Sequence, residues 1–268
     1  MLEWIARGLS RGRITTRYPR RREAPPDGYR GSIVVLDAVG ADRELEWCCP
    51  TDAIRVDEAK RISLDRGRCI ACGACVRTAP NRFAYRHAYE TAARVRADLV
   101  VGAEPGADAD ADADADEPPL PLRPQLGAQS RALRRSVHVR HIDTGSDGSE
   151  EWEIQALWNP YYDIQRLGFF LTSSPRHADI LLVTGGVTEP MRRPLIRTWE
   201  TMPAPKALVA AGTDACSGGL SAGTGMTAGG VDAVLPVDVY VPGSPPAPIA
   251  LIDGLLLAVG RLRAGARR

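Results

Sequence analysis

The sequence predicts an α/β protein in two folded pieces: a small α+β module rich in cysteine and a larger unit on a mainly parallel sheet, joined by an acidic disordered linker. Three observations lead there. Cysteines recur at two-residue intervals in Arg68-Cys69-Ile70-Ala71-Cys72-Gly73-Ala74-Cys75, aspartate alternates with alanine from Asp108 to Asp116, and beyond Val137 short apolar runs alternate with helical patterns. The divisions read as 1–31 for a basic helix and loop, 32–101 for the cysteine module, 102–130 for the linker and 131–268 for the rear domain.

A length of 268 residues leaves room for two modest domains, and a charged fraction of 25% is that of an ordinary globular chain. The net charge of +1 offers no global attraction to nucleic acid, and no nucleic-acid partner is expected. No apolar run reaches the roughly eighteen residues that cross a bilayer, and the N-terminus lacks the basic-then-apolar order of a secretory signal. A cytoplasmic location is therefore expected. In that compartment clustered cysteines favour metal ligation over disulfides.

Residues 1–18 place Leu2, Ile5 and Leu9, with Trp4 beside them, on one helical face. Seven arginines and no acid lie between Arg7 and Arg22. Such a segment, residues 1–22, suits an anionic membrane surface, or it packs on the protein's own core with its arginines solvated; both readings stand. Arg20 to Gly31 reads as a loop, followed by the cysteine module and a helical stretch from Arg86 to about Leu99. The Asp-Ala run and the prolines after it bury little and repel themselves, so they read as a spacer. In the rear domain the patterns predict strands over 137–142, 180–184 and 206–211, a strand or loop over 234–241, and helices over 161–167, 192–202 and 249–262. Functional loops in such a sheet lie at carboxyl ends of strands, here 143–150, 184–188 and 212–219.

Three thiolates at the Cys69, Cys72 and Cys75 spacing wrap backbone around an iron–sulfur cubane, with small residues between them allowing close approach. Bacterial ferredoxins continue with three residues and a fourth Cys before Pro, and that Cys ligates the other of two clusters. Here the fourth position is Ala79, ahead of Pro80, while Cys49 precedes Pro50 upstream. Reading back from Cys49 at the same spacing gives Leu45, Asp42 and Val39. Val39, Asp42, Leu45 and Ala79 are thus the four positions of one cluster, all without thiols, and Cys49, Cys69, Cys72 and Cys75 are those of the other, all kept. One [4Fe–4S] cluster is expected. A four-cysteine zinc site is the alternative, against which stands the lack of paired CxxC knuckles. Cys48 reads as a spectator, or a substitute for Cys49.

The segment from Met1 to Tyr85, through WCCPTDAI and RCIACGACVRTAP, resembles the ferredoxin-like iron–sulfur subunit of complex I and of formate hydrogenlyase-type complexes. Members of that family usually carry two [4Fe–4S] clusters, so this chain departs by one. The rear domain resembles the small subunit of group 4 membrane-bound [NiFe] hydrogenases and the 20 kDa-type subunit of complex I. That likeness rests on NPYYDIQRLGF, SSPRHADILLVTGGVT, MRRPLIRTWETMPAPKALVAAGTDA and GGVDAVLPVDVYVPGSPPAPIALIDGLL. It implies a flavodoxin-like fold and, in the family, a proximal [4Fe–4S] cluster held by four cysteines. At those positions this chain has Asp147, Glu150, Asp214 and Ser244. A one-residue shift of the first loop would substitute Ser146 and Ser149, which restores no thiol. Oxygen donors do not replace thiolates around a cubane, so the proximal cluster is expected to be absent. The three carboxylates either fill and solvate the former pocket, bind a divalent cation or relay protons.

Four histidines, His87, His138, His141 and His177, form no metal-binding helix pair, and the glycine-rich stretches lack a phosphate-binding lysine. No catalytic residue is expected. The resemblance implies an iron–sulfur electron-transfer and docking subunit. Its expected partners are a large hydrogenase-like or complex I 49 kDa-like subunit and membrane subunits, and it would be peripheral on the cytoplasmic face of the cell membrane. The alternative is a non-redox scaffold or a proton- or ion-coupling subunit that retains only its interface.

Overall fold

The computed structural model describes residues 2–102 and 136–262. The linker expected over 102–130 lies, beyond Gly102, outside the described residues, as do the side chains of Leu2, Trp4 and Ile5. Helix α1 (Leu2–Arg11) follows the predicted pattern, and its Leu9 is exposed. The arm behind it is stitched to the rear domain. The Thr16 amide donates to the Tyr161 carbonyl at 2.8 Å, and the Tyr161 hydroxyl donates to Glu23 Oε2 at 2.8 Å. The ring of Tyr18 is buried, and its hydroxyl donates to Asp253 Oδ1 at 3.0 Å.

The cysteine module holds two small antiparallel sheets. Strand β1 (Ile33–Val35) pairs with β4 (Phe83–Tyr85), and β2 (Ile54–Val56), β3 (Ile62–Asp65) and β5 (Val100–Gly102) run in the order β2-β3-β5. Alternation decides which side chains turn inward: Ile54 and Val56 are buried while Arg55 between them is exposed, and Ile62 and Leu64 repeat the pattern. With Ile33 and Phe83 they form a core that also takes in Cys75, at the second position of the short helix α2 (Ala74–Thr78).

The helix expected over 86–99 is not there. Only a 3₁₀ turn, Arg96–Leu99, forms, and the chain before it runs through bends to a single bridge at Ala93, whose backbone groups are claimed by the rear domain. Ala93 and Tyr240 exchange both amide hydrogen bonds, at 2.9 and 2.8 Å.

The rear domain is a five-stranded parallel sheet, order β7-β6-β8-β9-β10, of β6 (Val137–Asp143), β7 (Phe169–Leu171), β8 (Ile180–Thr184), β9 (Ala207–Ala211) and β10 (Val239–Val241). This is the flavodoxin-like order of a doubly wound sheet, with its switch point between β6 and β8. Helices α3 (Ser149–Ala156), α4 (Glu189–Thr201), α5 (Thr213–Ser217) and α6 (Pro248–Ala258) complete it. Strands buried on both faces read as continuous apolar runs. In β8, Ile180 and Leu182 join the core containing α6, whereas Leu181 and Val183 meet Leu195 and Trp199 of α4.

Two differences from the sequence reading concern this domain. The helix expected over 161–167 is a 3₁₀ turn, Ile164–Leu167, because Asn159 Oδ1 accepts the amides of both Tyr161 and Tyr162 at 2.9 Å and holds them in a turn. Helix α3 and strand β7 were not expected. The first has only Glu150 and Ile154 buried, and the second is a three-residue edge strand.

Every residue of α6 is buried, including Asp253. A helix apolar on all sides needs cover on all sides, and here the front of the chain supplies part of it. Tyr18 and Ala92 belong to the same core as α6, and Arg94 Nη2 donates to the Leu257 carbonyl at 2.9 Å. Among the described residues no helix is long and apolar enough to cross a membrane.

Candidate metal centre

The cysteine loop is shaped before any metal is considered. Asp65 at the end of β3 accepts the Gly67 amide on its side chain at 2.9 Å and the Arg68 amide on its carbonyl at 3.1 Å, turning the chain into Cys69. Ala71 and Gly73 both have positive φ, +52° and +71°. A Cβ on Gly73 would overlap the Tyr85 hydroxyl, and its left-handed φ strains any other residue, so that position favours glycine. Cys49 comes from a separate segment, as the extended residue that ends the 3₁₀ turn Arg43–Cys48.

One pocket gathers Cys48, Cys49, Cys69, Cys72 and Cys75 against the apolar side chains of Ile33, Ile54, Leu64 and Ile70. Cys49 Sγ accepts the Ala53 amide at 3.3 Å, and Cys69 Sγ accepts that of Ala71 at 3.4 Å. Burial pushes the Cys69 thiol up to about 11 and that of Cys75 up to about 12, with neighbouring cysteines adding to each rise. Thiols so placed stay protonated at neutral pH unless a cation compensates their charge, and metal binding then expels the protons. Soft donors, apolar walls and amide-to-sulfur hydrogen bonds fit an iron–sulfur cubane. A single ion needs three or more ligands around one point. Among the described residues no such group of His, Cys, Asp and Glu occurs.

The other four ferredoxin positions have different roles. Asp42 pairs with Lys60 Nζ at 3.0 Å, Leu45 and Ala79 pack against the front core, and Val39 is exposed.

The rear-domain residues singled out from the sequence lie at the carboxyl end of the sheet. Glu150, in the first turn of α3, is 2% exposed, and its Oε1 lies so close to Gly212 that a Cβ there would stand 2.5 Å away. Burial first, then the charges of Asp214 and Asp147, push its carboxyl up to about 7. Asp214, packed against Gly219, is also raised by burial and by Asp147. Asp147 is exposed, and the Ser149 hydroxyl and amide hold its carboxyl below the usual range. These three carboxylates sense one another, whereas Ser244 is exposed on the neighbouring loop. Cys216 is fully buried, with its thiol directed to the Ala210 carbonyl within the domain.

Two contacts, neither signalled by the sequence, join thiol pocket and rear domain. The Thr213 hydroxyl donates to the Cys69 carbonyl at 3.1 Å. Arg96 grips Asp65 through two hydrogen bonds of 2.8 and 2.7 Å, and its Nε reaches the Cys216 carbonyl at 3.3 Å. A third missed feature is the network at the β6–β8 switch point. His141 Nε2 lies 3.0 Å from Thr184 Oγ1, Thr184 donates to Glu151 Oε1, and Ser146 donates to Glu151 Oε2 at 2.8 Å. Burial lowers the His141 pKa despite the carboxylate beside it. These partners are scattered through the sequence, with no motif to find them by.

Residues 148–258 match the family described as NADH ubiquinone oxidoreductase, 20 Kd subunit, and residues 64–112 match the 4Fe–4S single cluster domain of ferredoxin I. The second match includes Cys69, Cys72 and Cys75 but not Cys49. Formate hydrogenlyase subunit 7 of Escherichia coli is 42% identical over 132 residues, which cover 49% of this chain and 52% of that protein. The probable membrane-bound hydrogenase subunit mbhJ of Pyrococcus furiosus is 38% identical over 141 residues, 53% of this chain and 84% of its own length. An NADH-quinone oxidoreductase subunit of Desulfovibrio desulfuricans is 44% identical over 104 residues, 39% of this chain and 56% of that protein. The chain thus spans about half the length of two of these relatives and most of the third.

Proposed function

The chain belongs to the family of the complex I 20 kDa subunit and the group 4 hydrogenase small subunit, with a 4Fe–4S ferredoxin segment in front, and from that premise we propose that it is an electron-transfer and docking subunit with one cluster. Cys49, Cys69, Cys72 and Cys75 hold a single [4Fe–4S] cluster, which supplies one-electron chemistry. The protein's own residues hold and shield it: Ile33, Ile54 and Leu64 exclude water, and the amides of Ala53 and Ala71 donate to the sulfurs of Cys49 and Cys69. The observation that carries this reading is the single pocket lined by those thiols, fastened to the rear domain through Thr213 and Cys69.

A second, proximal cluster is absent in this reading. Asp147, Glu150, Asp214 and Ser244 stand where the family's thiolates would be, and Cys216 is turned into the domain interior. The rear domain then acts as the docking surface for a large hydrogenase-like or 49 kDa-like subunit. Membrane subunits beyond it keep the whole on the cytoplasmic face, and residues 1–22 are available to an anionic surface. The segment 102–130 is the spacer between the folded pieces of the proposed division.

A specific observation favours a second reading, in which the rear domain couples protons rather than electrons: Glu150 is buried beside two other carboxylates and titrates near neutrality. Iron and sulfide analysis of protein purified without oxygen, with electron paramagnetic resonance after reduction, tests the principal reading. It expects about four irons per chain and one cubane signal. About eight irons would restore the proximal cluster and remove the reading.

A further inference from the structure

We propose that Cys48 is a fifth thiol of the cluster pocket and a reserve ligand that exchanges with Cys49 at one iron. The inference rests on the reading that this pocket holds a [4Fe–4S] cluster. A cubane takes four thiolates, whereas five cysteines line the space. One thiol is therefore in excess, and its position identifies it. Cys69, Cys72 and Cys75 belong to one loop, whereas Cys48 and Cys49 are consecutive and belong to a separate segment of chain.

Cys48 closes the 3₁₀ turn, and Cys49 follows with φ −97° and ψ 115°. Both side chains are half-buried and both pack against the front core, whereas the preceding Trp47 is 84% exposed. The turn thus sends Trp47 into solvent and two successive thiols inward. Hydrogen bonding favours Cys49 at rest, because its sulfur accepts the Ala53 amide at 3.3 Å and lies 3.6 Å from Thr51 Oγ1. Exchange needs only an adjustment at the end of a short turn.

The step conserves electrons. The iron bond to Cys49 Sγ breaks, a bond to Cys48 Sγ forms, and the proton leaving Cys48 ends on the released Cys49 thiolate. No oxidant is consumed. The consequence is a cluster that survives loss of its upstream ligand, at the corner where the ligand comes from a separate segment of chain.

Full-length protein prepared without oxygen, reduced with dithionite and assayed for iron, sulfide and paramagnetic resonance tests this. Cys49→Ala is expected to keep the wild-type iron content and a cubane signal with shifted g-values. Cys48→Ala should keep the iron content but lose the part of the wild-type signal that matches Cys49→Ala, and the double variant should lose the cubane. If Cys49→Ala alone loses as much as the double variant, Cys48 is no ligand. Should Cys49→Ala fail to fold, wild-type protein alkylated with iodoacetamide and mapped by mass spectrometry decides. Exchange divides the label between Cys48 and Cys49 and spares Cys69, Cys72 and Cys75, whereas label on Cys48 alone overturns it. Wild-type protein that takes up no iron would overturn the cluster assignment itself, a result separate from failure of the exchange.

Discussion

At Glu150, burial and like charge act in the same direction. Its carboxyl is raised from 4.5 to about 7, so between those values the folded state binds more protons than the unfolded one. Stability therefore falls as pH rises through that interval and stays reduced above it. Glu150→Gln should remove this slope and raise stability at pH 8 by roughly 1–3 kcal/mol. Thermal melts of variant and wild type at matched pH check it, and the comparison cancels the opposite contribution of His141, whose lowered pKa weakens the fold on the acid side. An unchanged melting profile would mean that Glu150 is hydrated. Gly73 makes the second prediction at this scale. Gly73→Ala adds a Cβ that the Tyr85 hydroxyl already blocks, at a positive φ. It should lower iron content by at least about half through misplaced neighbouring ligands, and the smaller partner change Tyr85→Phe should restore part of it. The residue scale also shows what spacing conveys: Cys69, Cys72 and Cys75 announce themselves, but the proximity of Thr213 to Cys69 does not.

Elements here take their form from what they touch. The segment 86–95 has helix-compatible residues, yet no helix forms there, because Ala93 gives both its backbone groups to Tyr240. Helix α6, by contrast, is legible as an apolar run, and its burial by Tyr18, Ala92 and the sheet explains why the run has so few polar breaks. Leu255→Ala in that helix should cost about 2–5 kcal/mol in denaturant unfolding, the range for a buried leucine in a packed core. Arg96 is the clamp between β3 and α5. Because the partly buried Asp65 would keep only the Gly67 amide and the longer pairing with Arg68 at 3.6 Å, Arg96→Ala should destabilise by about 1–2 kcal/mol. If the clamp also positions the cluster loop, the paramagnetic signal should broaden in the same variant; an unaltered signal would limit Arg96 to stability.

For the whole molecule, the two pieces are one packed unit over the described residues, since front-segment side chains complete the rear core. That arrangement predicts a single iron inventory. Cys69→Ala should remove the cubane and leave essentially no iron, because the rear domain has no thiol set of its own; iron persisting at wild-type level would place a cluster there. The parallel sheet was foreseeable from its alternating runs, and the flavodoxin-like order from the family likeness, whereas α3 and β7 were hidden by short length and sparse apolar positions.

The sequence by itself determined which atoms the candidate positions offer, sulfur at Cys49, Cys69, Cys72 and Cys75 and oxygen at Asp147, Glu150, Asp214 and Ser244, and a two-part α/β architecture. Ligand type and periodic burial are local properties, written into residue identity and spacing. The tertiary structure alone decided that the thiol pocket abuts the carboxylate loop, that Cys48 faces the same cavity as its neighbour, and that Tyr18 and Ala92 help to cover α6. Those outcomes depend on contacts between distant segments, and the energy of such contacts exists only once the chain has closed.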